Sequence, residues 1–231
     1  VSPGSFIPDA EQTGLINSID FYVIRQAIIF LSDTADESSQ VAINLSGKTI
    51  NDQNLVSYIQ ELLSAYQVSP ERIIFEVTET AAVADILVAS RIMNEINAIG
   101  CKFALDDFGI GFSSFYYLKK LPVEYIKIDG AFIRSIVNNL DDQLFVQAIT
   151  TVISGLGKKT VAEFVEDKAA LVLLQEYGVD YAQGYYIGNP QADPQTIFHN
   201  KSRVLFLFTC QYSSPITYSF TWLFEGVKNE Y

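Results

Sequence analysis

Asp106 and Asp107 stand side by side and are followed by Phe108-Gly109-Ile110-Gly111. Neighbouring residues of a strand face opposite sides of a sheet, so two adjacent carboxylates serve one site only where the strand is ending and turning. The two glycines supply such a turn, because they tolerate backbone angles that other residues avoid. One bridging carboxylate and one pointing aside would hold two cations a few ångströms apart. The competing reading makes Asp107 a turn cap and Asp106 a solvated strand end; the companions of the pair favour the metal. Glu76 lies inside Ile73-Ile74-Phe75-Glu76-Val77, where a carboxylate must be paired or bind metal, since bare burial of charge is costly. Glu163 follows Val161-Ala162 in the same way. Glu79 and Glu166 each come three residues after those glutamates and read equally as site residues or as structural caps and pairs. Lys127, in Tyr125-Ile126-Lys127-Ile128-Asp129, has the alternation of a strand residue facing a barrel mouth. There it could orient a water or balance charge developing on a phosphate, and a structural pairing with a carboxylate is compatible with that role. Asn44 offers an amide oxygen suited to Mg²⁺, and Gln183 is a weaker signal of the same kind.

Composition narrows the chemistry. The only histidine among 231 residues is His199, which excludes a multi-histidine metal centre and makes a histidine-based triad a poor expectation. Any metal site is therefore built from carboxylates and amides, which suit hard ions such as Mg²⁺ or Mn²⁺. Cys101 and Cys210 lie far apart in unlike contexts and suggest neither a disulfide framework nor a zinc knuckle, so a reducing cytoplasm fits. The net charge is −12 and no basic run exists, which argues against a nucleic-acid polymer as partner. A small phosphorylated ligand remains compatible where metal ions neutralise it locally. No signal peptide opens the chain, and its start at Val1 suggests a piece of a longer polypeptide.

The elements that must position these residues alternate. A helix entry and helix are expected over 6–31, then strands at 41–45, 73–77, 102–106, 125–129, 160–164 and 181–185. Helices are expected between them, near 52–66, 83–99, 114–121, 131–136, 143–156 and 168–177, and a turn at Gly188-Asn189-Pro190. Strict alternation implies a parallel sheet, either an open doubly wound sheet or a β/α barrel. Six strands bring a polar residue to the same end: Asn44, Glu76, Asp106, Lys127, Glu163 and Gln183. A barrel converges all its strand ends on one face, whereas an open sheet uses only those at its switch point, so the barrel is favoured. Eight strands make such a barrel, and six are expected here.

The motifs Asn44-Leu45-Ser46, Phe75-Glu76-Val77-Thr78-Glu79, Asp106-Asp107-Phe108-Gly109-Ile110-Gly111-Phe112-Ser113-Ser114, Ile126-Lys127-Ile128-Asp129, Val161-Ala162-Glu163-Phe164-Val165-Glu166 and Gln183-Gly184-Tyr185 occur in the order and spacing of the EAL domain, which this sequence resembles over about residues 1–190. The opening Pro3-Gly4-Ser5-Phe6-Ile7-Pro8 resembles the segment that follows that family's second strand. The resemblance implies a modified TIM barrel that hydrolyses cyclic di-GMP to linear pGpG with two Mg²⁺ or Mn²⁺ ions, by attack of a hydroxide held between the ions and departure of the 3′ oxygen. It implies that Asn44, Glu76 and Asp106 bind one ion, with Asp106 bridging to a second that Asp107 also binds. Glu163 would engage the catalytic water or second ion, Lys127 would orient that water, Glu79 would steady the loop 108–114, and Gln183 would be a further site residue, with Glu166 nearby. It also implies a bacterial signalling role in the cytoplasm, in a parent protein either free or membrane-anchored, with homodimerisation and fusion to or association with sensory or GGDEF-type domains.

Two departures qualify the resemblance. The family's first strand and its second, which carries the Glu-Ala-Leu glutamate that ligates metal, have no counterpart here, so an N-terminally truncated barrel with open edges is expected. Residues 196–231 form an apolar tail unlike the family, set against a partial barrel over 1–195. That tail is open to three readings: an unrelated read-through or frame-shifted end, a hairpin around Ser213-Ser214-Pro215 covering exposed core, or a weak membrane span. Three functions follow as expectations: a phosphodiesterase, a nucleotide receptor without turnover, or an inactive remnant.

Overall fold

The computed structural model describes residues 3–110, 115–188, 204–211 and 217–225. Gly111–Ser114, the Asn189-Pro190 turn, His199 and the turn at Ser213–Pro215 lie outside the described residues. Helices α1 (Pro3–Thr13) and α2 (Leu15–Asp33) lead into β1 (Gln40–Asn44). The chain continues α3 (Leu55–Tyr66), β2 (Ile73–Thr78), α4 (Glu79–Ala84), α5 (Ile86–Ile99), β3 (Lys102–Phe108), α6 (Phe115–Lys120), β4 (Tyr125–Ile128), α7 (Gly130–Ile133), α8 (Leu140–Gly155), β5 (Lys159–Ala162), α9 (Lys168–Glu176) and β6 (Tyr181–Gln183). Strands β1 to β6 pair in chain order and all in parallel, as the alternation predicts.

The expected open edges are not present. Strands β7 (Val204–Gln211) and β8 (Thr217–Glu225) pair with each other as an antiparallel hairpin. β7 runs parallel to β1 and β8 antiparallel to β6, so the sheet closes into an eight-strand barrel. Both strands are rich in β-branched and aromatic residues, and pairing them with β1 and β6 satisfies the edge backbone groups that six strands would leave bare. Ladder register sets Leu207 opposite Ala42 and Leu223 opposite Gln183.

Period-2 alternation divides each strand between two cores. Outward residues such as Ile43, Phe75, Leu105, Ile128 and Ala182 join the helices in one large cluster. Inward residues Ala42, Ile74, Ala104, Tyr125, Val161 and Tyr181 form a separate small cluster inside the barrel. Among the described residues, α2 is the helix long and apolar enough to cross a membrane. Its Val23, Ile24, Ala27, Ile28 and Leu31 are buried in the outer cluster, where each contributes roughly 1.5–3 kcal/mol for the larger side chains.

Three local details depart from expectation. The helix predicted over 83–99 begins four residues earlier and breaks at Asp85, because Thr78 caps α4 through Ala81 N and Asp85 caps α5 through Val88 N. Strand β3 runs past the aspartate pair to Phe108, with a register shift between Leu105 and Phe108. β6 stops at Gln183 because Gly184, at φ 155, crosses over Val165, where a Cβ would run into backbone N and O.

Candidate active site

Each residue of the inner apolar layer is followed two positions later by a polar one: Ala42 by Asn44, Ile74 by Glu76, Ala104 by Asp106, Tyr125 by Lys127, Val161 by Glu163 and Tyr181 by Gln183. Two positions along a strand is the same face one level up. The six strand-end residues read from sequence therefore form the next layer of the barrel interior, at the C-terminal ends of parallel strands where barrel active sites sit.

Lys127 is the centre of that layer. Its Nζ lies 2.8 Å from Glu163 Oε1, 2.9 Å from Asp106 Oδ1 and 3.2 Å from Glu76 Oε2. Lys127 and Glu76 are nearly inaccessible, at 3% and 2% exposed. Three carboxylates thus share one ammonium in a site largely shielded from solvent. Burial pushes the Glu76 carboxyl up to about 8, more than the Lys127 charge pulls it down, because Asp106 and Glu163 compete for the same ammonium. Burial likewise raises Glu163 against the pull of Lys127. For Lys127 itself burial acts downward, but Asp106, Glu76 and Glu163 together overcome it and hold the ammonium well above the ordinary lysine value.

The aspartate pair resolves the facing problem by its backbone. Asp107 sits at φ 57, the left-handed region that aspartate tolerates better than most residues. Its N–H donates to Asp106 Oδ1 at 3.0 Å, and both side chains consequently reach the mouth. Carboxylate oxygens of Asp106, Asp107 and Glu163 lie within 4.8 Å of one another, a spacing that can hold a metal ion. Burial, then the charges of Asp106 and Asp129, raise the Asp107 carboxyl. An excess of negative charge on hard oxygen donors fits a divalent cation of the Mg²⁺ or Mn²⁺ type.

The remaining predicted residues take varied places. Asn44 is exposed at the end of β1, in register with Glu76. Glu79 is buried, and its Oε2 accepts from Gly109 N at 3.2 Å, tying the start of α4 to the turn after the aspartates. Gln183 is half-buried, and its Oε1 has no hydrogen-bond partner among the described residues, leaving an acceptor for a ligand. Glu166 is exposed, and among the described residues no hydrogen bond or ion pair joins it to the cluster.

Two features were missed in the sequence. Asp129, read only as a strand residue, caps α7 through Ala131 N at 2.6 Å and adds its charge to the field on Asp107. Its signal was available: an aspartate between a strand and Gly-Ala-Phe is a helix N-cap pattern. Phe164, at φ 55, lays its ring over Gly130 and under the Arg134 guanidinium, 3.9 Å from the ring centroid. No local pattern announces that contact.

The raised carboxyls predict a pH dependence. A carboxyl whose folded value lies above its ordinary 4.5 binds protons more tightly in the native chain, so stability falls as pH rises from about 4.5 towards about 8 for Glu76. The Lys127 contribution is constant there, being fully present below the ordinary lysine value of 10.5. The metal-free chain should therefore melt at higher temperature at pH 5.5 than at pH 8 in EDTA. Added Mn²⁺, which competes with those protons, should stabilise most at pH 8. Calorimetry at both pH values checks it, and a flat or inverted profile in EDTA counts against an ion-starved site.

A barrel whose six parallel strands end in a carboxylate-rich, lysine-centred mouth defines a class of sites able to hold a divalent cation, and comparison with known proteins gives the family. A profile of the EAL domain matches residues 1–190, and the chain belongs to that family. It is 39% identical over 193 residues to "Cyclic di-GMP phosphodiesterase PdeB" of Shewanella oneidensis, covering 83% of this chain and 22% of that protein. It is 36% identical over 193 residues to "Cyclic di-GMP phosphodiesterase PdeF" of Escherichia coli, covering 83% of this chain and 26% of that protein. The chain thus spans about a quarter of the length of these curated relatives. Among solved structures, the PaMucR phosphodiesterase in complex with c-di-GMP superposes with a TM-score of 0.80 at 35% identity, covering 85% of this chain and 81% of that one. The FimX EAL domain of Pseudomonas aeruginosa bound to c-di-GMP superposes with a TM-score of 0.76 at 28% identity, covering 81% and 76%.

Proposed function

We propose that this chain is the barrel portion of a cyclic di-GMP phosphodiesterase that yields linear pGpG with two divalent ions. The observation that carries the reading is the Lys127 cluster, where three carboxylates face one ammonium at the mouth of an EAL-family barrel. Relatives named as cyclic di-GMP phosphodiesterases support the substrate.

Asn44, Glu76, Asp106 and Asp107 would hold the ions, which when bound supply a nucleophile at neutral pH and neutralise the phosphodiester. Glu163, its carboxyl raised by burial, is suited to accept a proton from the attacking water. Lys127, held directly by Glu76, Asp106 and Glu163, would orient that water as the positive charge on the floor of the site. Glu79 keeps the turn at Gly109 in place, which fixes the left-handed Asp107 beside it. Gln183 Oε1, a buried acceptor without a partner among the described residues, would accept from a donor on the nucleotide. Glu166, exposed in the segment after β5, is the least supported member of the proposed site. Homodimerisation, a cytoplasmic setting and linkage to sensory or GGDEF-type domains belong to the same proposal; one relative, MucR of Pseudomonas aeruginosa, is named a bifunctional diguanylate cyclase and phosphodiesterase.

A second reading, a cyclic di-GMP receptor without turnover, draws on the hairpin. β7 carries no carboxylate, and the only acid of β8, Glu225, is in backbone register with Tyr181. Among the described side chains, the donors at the mouth come from β1 to β6 and the residues just after them. Incubating the chain with cyclic di-GMP and Mn²⁺ and quantifying pGpG separates the two. Turnover establishes the phosphodiesterase; saturable binding without turnover establishes the receptor; neither removes both.

A further inference from the structure

Asp20 is a carboxylate on the inner face of α2, 6% exposed, among apolar neighbours of the outer core. No cation pairs with it among the described ion pairs. Its Oδ2 accepts from Ser46 N at 3.0 Å, and the hydroxyls of Thr49 and Ser46 also bond it. A carboxylate so far from water is retained only where its hydrogen bonds are made, and here all of them reach one short segment. That segment is the exit of β1. Asn44 is the last strand residue, Leu45 N extends the ladder by one bond to Glu76 O at 2.8 Å, and Ser46 is the next residue.

The exit is knit on every side. Ser46 Oγ and Thr49 Oγ1 lie 3.0 Å apart in the same network, and Ser46 Oγ accepts from Thr49 N at 3.2 Å. Gly47 passes so close to α4 that a Cβ there would stand 3.2 Å from Ala81 Cβ. Asn17, one helical turn before Asp20, donates to Asp52 Oδ2 at 3.1 Å at the far end of the same loop. Asn44 is exposed and has no side-chain hydrogen bond among the described residues, so its orientation rests on the backbone at either side of it.

We propose that Asp20 is a positioning residue for Asn44: by holding Ser46 N it stops the end of β1 from fraying and keeps the Asn44 amide at the level of Glu76 and Asp106. The inference rests on the reading of the mouth as a divalent-cation site. Residues that orient metal ligands from behind set the affinity for the ion, with typical losses of 10–100-fold when they are removed.

The test is Mn²⁺ binding to the full chain, followed by the electron paramagnetic resonance of free Mn²⁺, for wild type, Asp20→Ala, Asp20→Asn and Tyr58→Phe. Tyr58 Oη bonds Phe21 O at 3.0 Å on the same helix but does not touch the exit of β1, so it controls for destabilising α2. Asp20→Ala is expected to weaken Mn²⁺ binding about tenfold. Asp20→Asn, which keeps an acceptor for Ser46 N, should lose less, and Tyr58→Phe should lower the melting temperature with unchanged affinity. Wild-type affinity in Asp20→Ala overturns the inference, whatever its melting temperature. Equal losses in Asp20→Asn and Asp20→Ala overturn it in favour of a long-range charge effect. If Asp20→Ala does not fold, the near-isosteric Asp20→Leu, which also has no acceptor for Ser46 N, takes its place, and wild-type affinity there overturns the inference. Wild-type chain that takes up no Mn²⁺ overturns the cation site itself, a result distinct from the other three.

Discussion

Lys127→Met should destabilise the metal-free chain by about 3–5 kcal/mol at pH 8, the usual cost of leaving buried charge without its partner. The substitution keeps the length and apolar stem of the side chain but removes the one cation that Glu76, Asp106 and Glu163 share. With the ammonium gone, the three carboxylates face each other across a site from which water is largely excluded. Two responses would show that charge, rather than packing, is the cause. Lowering the pH should recover part of the loss, because Glu76 and Glu163, both raised by burial, then take up protons. Adding Mn²⁺ should recover more, since a divalent ion replaces the missing positive charge and binding to the native state adds stability. Urea unfolding in EDTA and in Mn²⁺ measures both. A loss below about 1 kcal/mol in EDTA would place the cluster with exposed ion pairs, which contribute little.

Asp106→Asn is expected to act in the opposite sense on stability and activity. Under the proposed function, its carboxylate would bridge two ions, and neutralising it should remove several kcal/mol of transition-state stabilisation. About 4 kcal/mol corresponds to roughly a thousandfold loss of turnover. In the metal-free chain the same change relieves crowding: Lys127 then serves two carboxylates rather than three. The melting temperature in EDTA should hold or rise while hydrolysis of cyclic di-GMP collapses, the pattern of a site that trades stability for function. Turnover within tenfold of wild type would sink the assignment of Asp106, and a large drop in melting temperature would mean that its role is structural.

The hairpin changes how the barrel itself should be regarded. Six strands with matching inner and outer faces would leave two bare edges, and β7 and β8 occupy both vacancies in the register of β1 and β6. The hairpin completes the hydrogen-bonded ring, and among the described side chains the polar layer comes from β1 to β6.

Much of this was legible in the sequence because it is local. A carboxylate, lysine or amide at the end of a short apolar run, repeated on six strands, can be recognised without knowing which strands are neighbours. Period-2 alternation alone assigns Asn44, Glu76, Asp106, Lys127, Glu163 and Gln183 to one face, and the family motifs add roles to them. Tertiary structure decided what depends on distances across the chain. That Lys127 meets Glu76, 51 residues away, as well as Asp106 and Glu163, follows from barrel curvature and stagger, which no window of sequence contains. The same holds for Asp20, whose helical neighbours give no hint that its carboxylate ends 26 residues on at Ser46. It holds also for the tail, whose apolar alternation fits several environments until β1 and β6 offer it unpaired edges. Side-chain facing is a property of the local backbone; which faces meet, and how many anions one cation must serve, is a property of the closed barrel.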